Sequence, residues 1–110
     1  VPEHAFRLTL LDVGQGLAAV IQTRQHTLLY DAGPIYGEES DAGQQVILPF
    51  LRYMGIEHLD KIVISHGDLD HRGGLTRLPA LWQTDVVTSE PNRLPVPSTR
   101  CLPMQTWEWV

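Results

Sequence analysis

Residues 61–74 have the sequence KIVISHGDLDHRGG, and this stretch decides how the rest of the chain is interpreted. Its first part, Lys61 to Ile64, is an apolar run of the length expected for a buried strand. Side chains that bind divalent metals follow directly, at His66, Asp68, Asp70 and His71. Imidazole and carboxylate groups suit Zn, Mn or Fe, and a mixed nitrogen and oxygen set is typical of catalytic rather than structural sites. The stretch therefore predicts a metal-dependent hydrolase, or part of one.

The spacing within this cluster indicates two pairs of metal ligands. Asp68 and Asp70 are separated by one residue, which lets both carboxylates point the same way. The pairs His66 with Asp68 and Asp70 with His71 suit two ions about 3.5–4 Å apart, which share a bridging water and stabilise charge on a substrate. A solvated turn is the simpler alternative. The preceding strand, the order of the residues and the trailing Gly73-Gly74 favour the metal site.

Composition sets the outer limits of the interpretation. The chain has 110 residues, 43% of them hydrophobic and 19% charged, as expected for one small globular domain or a piece of a larger one. The net charge of −5 gives no sign of the basic face of a nucleic-acid-binding protein, although a bound metal supplies local positive charge. Cys101 is the only cysteine, so no disulfide forms within the chain. The start at Val1 and the strand-like end at Val110 predict a fragment, a partial domain over residues 1–110 of a longer protein.

The first part of the chain predicts an antiparallel meander. Short runs of apolar residues at 6–13, 17–23 and 26–30 have the pattern of strands, and Gly14-Gln15-Gly16 marks the first turn. Residues 34–40 have the composition of a polar loop. Helical spacing of apolar residues then predicts a helix over 42–54, capped by Asp41, ended by Gly55 and kinked at Pro49.

The remainder predicts alternating strands and connections. The strand over 61–65 leads into the metal-type loop, and further elements are expected as a short helix at 75–82, a strand at 85–88, a proline-rich surface loop at 90–103 and a strand near 105–110. No stretch has the length and apolarity of a membrane-spanning helix.

The motifs together resemble the signature of the metallo-β-lactamase superfamily, whose usual pattern is His-x-His-x-Asp-His. Asp68 stands where most members have the second His. That replacement, with LDVGQG at residues 11–16 and LYDAG at residues 29–33, is similar to the C-terminal hydrolase-like domains of the ComEC family of competence DNA-uptake channels. The resemblance is good over residues 8–75 and looser in the tail.

The resemblance implies a fold and a set of ligands. The fold would be α/β of the α+β type, the metallo-β-lactamase-like αββα sandwich, with these residues forming its N-terminal half. His66 and Asp68 would bind one divalent ion and Asp70 and His71 the other, with Mn or Zn as the metals. Asp70 would also orient the attacking hydroxide. Asp31 would lie beneath the site as a hydrogen-bond partner that orients the ligands.

The resemblance also implies a function for the parent protein. Such a protein passes one DNA strand through the bacterial inner membrane, and the hydrolase domain, facing the periplasm, would be a nuclease that degrades the strand not imported. Its partners would be DNA, the remaining half of the domain and the membrane channel region. Two alternatives stay open: a metal-poor scaffold or DNA-guiding module without catalysis, and another hydrolase of the superfamily acting on thioesters or lactams. Asp68 in place of His disfavours the hydrolase that acts on thioesters or lactams.

The sequence also departs from the family pattern in its second half. A complete site in this superfamily also uses a later His, a bridging Asp and a final His, and no histidine follows His71 in this sequence. We therefore expect weak metal binding or none, and no nuclease turnover, from these residues alone. An incomplete sandwich would also leave an apolar face uncovered, so self-association of the chain is a second hypothesis.

Overall fold

The computed structural model describes residues 1–37, 40–57, 59–65, 75, 84–91, 94, 97–104 and 106. Within these ranges the strands are β1 Arg7–Leu10, β2 Ala19–Gln22, β3 Thr27–Tyr30, β4 Ile35–Gly37, β5 Ser40–Asp41, β6 Lys61–Ile64, β7 Asp85–Thr88 and β8 Thr99–Arg100. A π-helical turn, Gly43–Ile47, runs directly into the helix α1, Leu48–Tyr53. Six strands form a mixed sheet in the order β1-β2-β3-β6-β7-β8, and β4 pairs with β5.

The predicted meander is confirmed. The strand β2 pairs antiparallel with both β1 and β3, with Leu8 opposite Ile21 and Val20 opposite Leu29. Each strand is shorter than its apolar run. After β1 the Leu11 N–H still donates to the Ala18 carbonyl at 2.9 Å, and beyond that pair the chain leaves the ladder for the glycine-containing turn.

The second half of the sheet is parallel. The strand β6 lies between β3 and β7, and β8 follows beside β7, with every neighbouring pair in parallel register. Tyr30 is opposite Val63, and Ile64 is opposite Thr88. Because the strands share a direction, β3, β6 and β7 all end at one edge of the sheet. The residues that follow them are thereby brought together.

The predicted helix is present, but its first part is π-helical and it becomes α-helical at Leu48, directly before Pro49. The Asp41 Oδ1 atom accepts a hydrogen bond from the Gln44 N–H at 2.9 Å, as expected for a cap. Pro49 lies in the first turn of α1, and the wider π turn directly before it accommodates a residue that has no N–H to donate. Gly55, at φ 72°, ends the helix, and the Ile56 N–H donates to the Leu51 carbonyl at 2.8 Å in a Schellman arrangement.

The core lies between one face of the sheet and the helical segment. Sheet residues of this face are almost fully buried and lie in one cross-strand row: Val20, Leu29, Ile62 and Val86. Ile47 and Leu51 from the helical segment belong to the same cluster. The alternation of buried and half-buried residues along β3 and β6 follows from the two-residue period of a strand.

Two sequence predictions about loops are wrong. Residues 34–40, predicted as a polar loop, include β4 and β5, and the Tyr36 hydroxyl of this pair donates to the Val13 carbonyl at 2.7 Å. The predicted surface loop at 90–103 contains β8, which lies beside β7. All three strands are only two or three residues long, and β8 is paired with a strand that is distant from it in composition and sequence pattern, so tertiary pairing overrides local composition there.

Other predictions are tested only in part. The strand at 85–88 is confirmed as β7. The predicted helix at 75–82 lies outside the described residues apart from Leu75, which is buried. The predicted strand near 105–110 also lies outside them, apart from Thr106. None of the helices in the described ranges is long and apolar enough to cross a bilayer.

Asp60 joins the beginnings of β3 and β6, at the edge of the sheet opposite the ends of the parallel strands. Its Oδ2 atom accepts the Thr27 N–H at 2.7 Å, and its own N–H donates to the Thr27 carbonyl at 2.9 Å. We expect Asp60→Ala to lower the free energy of unfolding by about 1–3 kcal/mol, because the Thr27 N–H loses a charged acceptor. Urea denaturation measures the change.

Asp85 provides the control for that substitution. It lies in the same region of the sheet, its side chain is 80% exposed, and its ion pair with Lys61 is long at 4.0 Å. Asp85→Ala should therefore change stability by less than about 1 kcal/mol. Equal losses in the two variants would contradict the role given to Asp60.

Candidate functional site

The carboxyl edge of the sheet carries a compact set of polar residues. We define this edge by Asp31, which follows β3, Ser65, which follows β6, and Thr88 and Ser89 at the end of β7. In sheets with parallel strands, ligands characteristically bind beyond the carboxyl ends of the strands. The predicted metal-binding loop begins at this edge, since His66 follows Ser65 in the chain.

Asp31 is the most constrained residue of the edge. It is fully buried at 0% exposure and has a left-handed backbone, with φ at 59°. Its N–H donates to the Val63 carbonyl at 2.7 Å, which extends the pairing of β3 with β6 by one residue. Aspartate tolerates the left-handed region better than most residues. The chain can therefore turn sharply after β3 while the carboxylate stays at the edge of the sheet.

The Asp31 carboxylate holds Ser65 through two short hydrogen bonds. Its Oδ1 atom accepts the Ser65 N–H at 2.7 Å, and its Oδ2 atom accepts the Ser65 hydroxyl at 2.7 Å. Hydrogen bonds to a charged group contribute roughly 1.5–3 kcal/mol each, more than neutral ones. The residue immediately before the predicted ligand loop is thus fixed by a buried carboxylate.

Ser65 is also held from the side of β7. The Ser89 hydroxyl donates to the Ser65 carbonyl at 3.0 Å. The preceding residue, Thr88, is fully buried, and its carbonyl accepts the Cys101 N–H at 2.7 Å. Its Oγ1 atom accepts the Glu90 N–H at 3.1 Å. The ends of β3, β6 and β7 are therefore connected through Ser65.

A glycine-containing loop lies at the same edge, because β2 runs antiparallel to β3. The Gly33 N–H donates to the Leu17 carbonyl at 2.9 Å, which ties residues 11–18 to the turn after Asp31. The Gly14 N–H donates to Asp12 Oδ1 at 3.2 Å. Residues 10–14, 16 and 17 line a shallow cavity of about 320 Å³. The LDVGQG motif thus borders the candidate site.

The four predicted metal ligands are not among the residues that the structure describes. His66, Asp68, Asp70 and His71 lie outside the described residues, so their ligand and catalytic roles stay predictions. In the described part of the chain, no group of three or more His, Cys, Asp or Glu side chains is placed to hold a metal ion. Of the predicted site residues, Asp31 is the one whose contacts are described.

The residues present fit a divalent metal by their chemistry. Two imidazoles and two carboxylates within one short loop are ligands suited to Zn or Mn. Partners that fix the start of a ligand segment are typical of metal sites, where they set the orientation of the ligands. The Asp31–Ser65 contact, one residue before His66, is an arrangement of this kind.

Sequence reasoning missed Ser65 and Ser89 as residues of the site. The signal that could have found them is positional, because each directly follows a strand of the parallel part of the sheet, as Asp31 does. Small hydroxyl residues at such ends form local hydrogen bonds readily. What the sequence lacked was the knowledge that β7 is the parallel neighbour of β6.

Comparison with known proteins agrees with this architecture. Residues 11–95 match the model of the metallo-β-lactamase superfamily. The chain is 37% identical over 108 residues to the uncharacterized protein YcaI of Escherichia coli (strain K12), covering 94% of this chain and 13% of that protein. It is 33% identical over 109 residues to competence protein ComA of Neisseria gonorrhoeae, covering 99% and 15%. It is 38% identical over 106 residues to recombination protein 2 of Haemophilus influenzae, covering 94% and 13%.

Solved structures show the same fold. A metallo-β-lactamase with a HARLDQ motif from Cronobacter sakazakii matches with a TM-score of 0.64 and 22% identity, covering 84% of this chain and 42% of that chain. The Rm3 metallo-β-lactamase matches with a TM-score of 0.53 and 30% identity, covering 73% and 28%. The chain spans about 13–15% of the length of the three relatives and less than half of these structures. The predicted α/β fold, corresponding to part of a metallo-β-lactamase domain, is confirmed, and the chain belongs to the metallo-β-lactamase superfamily.

Proposed function

We propose that the chain carries the ligand loop of a metal-dependent hydrolase domain that acts in DNA uptake, as a nuclease degrading the strand that is not imported. The observation that carries the proposal is the buried Asp31 carboxylate, which fixes Ser65 immediately before the HGDLDH sequence of residues 66–71. The similarity to a competence protein and a recombination protein supports the link to DNA.

Each residue of the loop has a role in this proposal. His66 and Asp68 would hold one divalent ion, and Asp70 and His71 the other. When bound, a pair of Mn or Zn ions would supply a nucleophilic hydroxide at neutral pH and stabilise charge on a phosphodiester. Asp70 would orient the attacking water by accepting a hydrogen bond from it. Asp31 would act through Ser65, keeping the start of the loop in one place.

The proposal includes the rest of a larger protein. Residues 1–110 would be a partial domain, with the remaining ligands and the second half of the sandwich supplied by residues of the parent chain. That parent would be an inner-membrane channel with this domain on the periplasmic side, where incoming DNA is still double-stranded. Since no histidine follows His71, we propose that these residues alone bind metal weakly or not at all and do not turn over DNA.

The sheet face away from the helical segment supports the partial-domain proposal. Cross-strand partners place Leu8, Ile21 and Leu28 in one row of this face. At its β1 end the face is open, with Leu8 60% and Leu10 69% exposed. Exposed apolar surface of this kind marks a place where another element packs. We assign it to the remaining half of the sandwich, and self-association of the isolated chain is the alternative.

A nuclease assay tests the proposed activity. The substrate is double-stranded DNA, and the protein is residues 1–110 joined to the remainder of the domain. We expect cleavage that depends on Mn²⁺ and falls by more than about 100-fold in Asp70→Ala, because a metal ligand and the group that orients water are lost together. Asp85→Ala, at the opposite edge of the sheet, is the matched control and should retain activity.

The other outcomes separate the alternatives. A folded domain that cleaves no DNA with Mn²⁺, Zn²⁺ or Mg²⁺ would favour the DNA-guiding or scaffold role. Hydrolysis of a thioester or lactam without DNA cleavage would favour a different hydrolase of the superfamily. Full activity in Asp70→Ala would remove the loop from the mechanism.

A further inference from the structure

We propose that Ser89 is a positioning residue for the loop that begins at His66, and that it acts through the carbonyl of Ser65. Its link to metal binding rests on the proposed function, whereas its effect on the loop does not. The carrying observation is the hydrogen bond from the Ser89 hydroxyl to the Ser65 carbonyl at 3.0 Å, which connects residues 24 positions apart in the sequence.

The Ser65 carbonyl lies directly before the predicted ligand loop in the chain. It belongs to the peptide group whose other half is the N–H of His66, and a peptide group is planar. A hydrogen bond to this carbonyl therefore acts on the peptide group that leads into the predicted ligand loop. It also sets the direction in which the chain enters the predicted ligand loop.

Asp31 and Ser89 act on the two sides of Ser65. Asp31 accepts the Ser65 N–H at 2.7 Å and so holds the peptide group before this residue. Ser89 holds the peptide group after it. The two hydrogen bonds therefore restrict the two backbone dihedral angles of Ser65, which are the only soft torsions between these peptide planes. One carboxylate and one hydroxyl thus define the exit of β6.

Ser89 is itself placed by the sheet. Thr88, the residue before it, is opposite Ile64 in the parallel register, so Ser89 and Ser65 leave the sheet side by side. Thr88 is fully buried, and its carbonyl accepts a hydrogen bond from the N–H of Cys101, the residue directly after β8. The Glu90 N–H is bound back to Thr88 Oγ1 at 3.1 Å. The backbone on both sides of Ser89 is therefore held, and its hydroxyl stays within reach of Ser65.

Nuclear magnetic resonance of the 110-residue chain tests the inference, first without metal. In Ser89→Ala we expect the carbonyl ¹³C resonance of Ser65 and the amide ¹⁵N resonance of His66 to move, with smaller changes through residue 71. Ser89→Thr keeps the hydroxyl and should restore the wild-type positions. Ser98→Ala is the matched control, since the buried Ser98 hydroxyl makes no hydrogen bond within the described ranges. It should leave the loop resonances unchanged.

A Zn²⁺ titration of the same samples tests the link to metal. We expect Ser89→Ala to bind Zn²⁺ roughly three- to ten-fold more weakly than the wild type, the effect of losing one hydrogen bond that orients a ligand segment. Ser89→Thr and Ser98→Ala should bind as the wild type does. Shifts of residues 66–71 provide the readout, and no enzymatic activity is needed.

The outcomes distinguish the inference from the proposed function. Wild-type binding that Ser89→Ala leaves unchanged overturns the positioning role in metal binding and leaves the proposed function standing. If Zn²⁺ moves no wild-type resonance, these residues alone do not hold the metal, which the proposed function allows, and the metal-free spectra decide about Ser89. Unchanged Ser65 and His66 resonances in Ser89→Ala would overturn the inference outright.

Discussion

Replacement of Asp31 by alanine is expected to lower the free energy of unfolding by about 3–5 kcal/mol. The Ser65 N–H and hydroxyl, which are partly buried, would both lose a charged acceptor, at roughly 1–3 kcal/mol for each unsatisfied group. Alanine would also be less favourable than aspartate at φ 59°. A small domain has a total stability of about 5–15 kcal/mol, so the loss is a large part of it. Urea denaturation gives the value directly.

Asp31→Asn separates stability from ligand placement. Asparagine keeps an oxygen acceptor and accepts the left-handed backbone, so we expect a smaller loss of about 1–2 kcal/mol and a folded chain. Its amide group cannot accept two hydrogen bonds from Ser65 with both terminal atoms, because one of them is a donor. We therefore expect Zn²⁺ affinity to fall about 10- to 100-fold, as for other partners that orient metal ligands.

Asp60→Ala tests whether the loss of Zn²⁺ affinity is specific to the substitution of Asp31. Asp60 ties the same two strands together at the opposite edge, through Thr27. It should lower stability without changing Zn²⁺ affinity, because the ligand loop begins at the other end of β6. A loss of affinity in Asp60→Ala as large as that in Asp31→Asn would mean that affinity merely follows stability.

The sequence allowed the parts of the fold that depend on local pattern to be predicted. The meander and β7 followed from short apolar runs between turns, and the Asp41 cap and Gly55 end of the helical segment followed from residue type. Each of these features is determined within a few neighbouring residues. The π turn before Pro49 lies at the limit of this reasoning, since the proline predicts a distortion and not its form.

Features that depend on strand order were not predictable in the same way. The strand β8 has two exposed residues in a proline-rich region, and it is a strand only because it lies beside β7. The strands β4 and β5 pair locally with each other, whereas the hydrogen bond from the Tyr36 hydroxyl to the Val13 carbonyl depends on how this pair lies in the fold.

In the candidate site, too, some features follow from local sequence and others from the order of the strands. The ligand-type residues of the loop and the position of Asp31 came from motifs, and their roles stay predictions. The contacts of Ser65 with Asp31 and Ser89 required the parallel register of three strands, which no local pattern contains. Residue type indicates the chemistry of such a site, whereas the order of strands decides which groups orient it.

Gly33→Ala is the second substitution for which we expect a large effect. Gly33 has φ at 68°, and a Cβ atom built on it would lie 2.5 Å from the Cβ of Ala42 and 3.3 Å from that of Val13. Both neighbours are buried in the core cluster and have little room to move. Left-handed strain of roughly 1–2 kcal/mol adds to an overpacking cost of about 1–3 kcal/mol, so a loss of about 2–5 kcal/mol is expected.

Two other glycines separate these causes. Gly14 has φ at 79°, and no atom of the described residues lies within 4 Å of a built Cβ, so Gly14→Ala should show the strain alone, about 1–2 kcal/mol. Gly37 has no left-handed φ, and a built Cβ on it meets no atom of the described part of the chain within 4 Å, so Gly37→Ala should be close to neutral. Urea denaturation of the three variants measures both contributions in the same protein.

The double variant Gly33→Ala with Ala42→Gly tests the contact itself. Removing the Ala42 Cβ takes away the atom that lies nearest to the new methyl group. Ala42→Gly alone should cost stability, yet in the background of Gly33→Ala it should cost less or restore some stability, with a coupling energy of about 1–2 kcal/mol. Additive losses would show that the cost of Gly33→Ala comes from the backbone. Coupling would show that the turn after Asp31 packs directly against the start of the helical segment, so that the core sets the position of the candidate site.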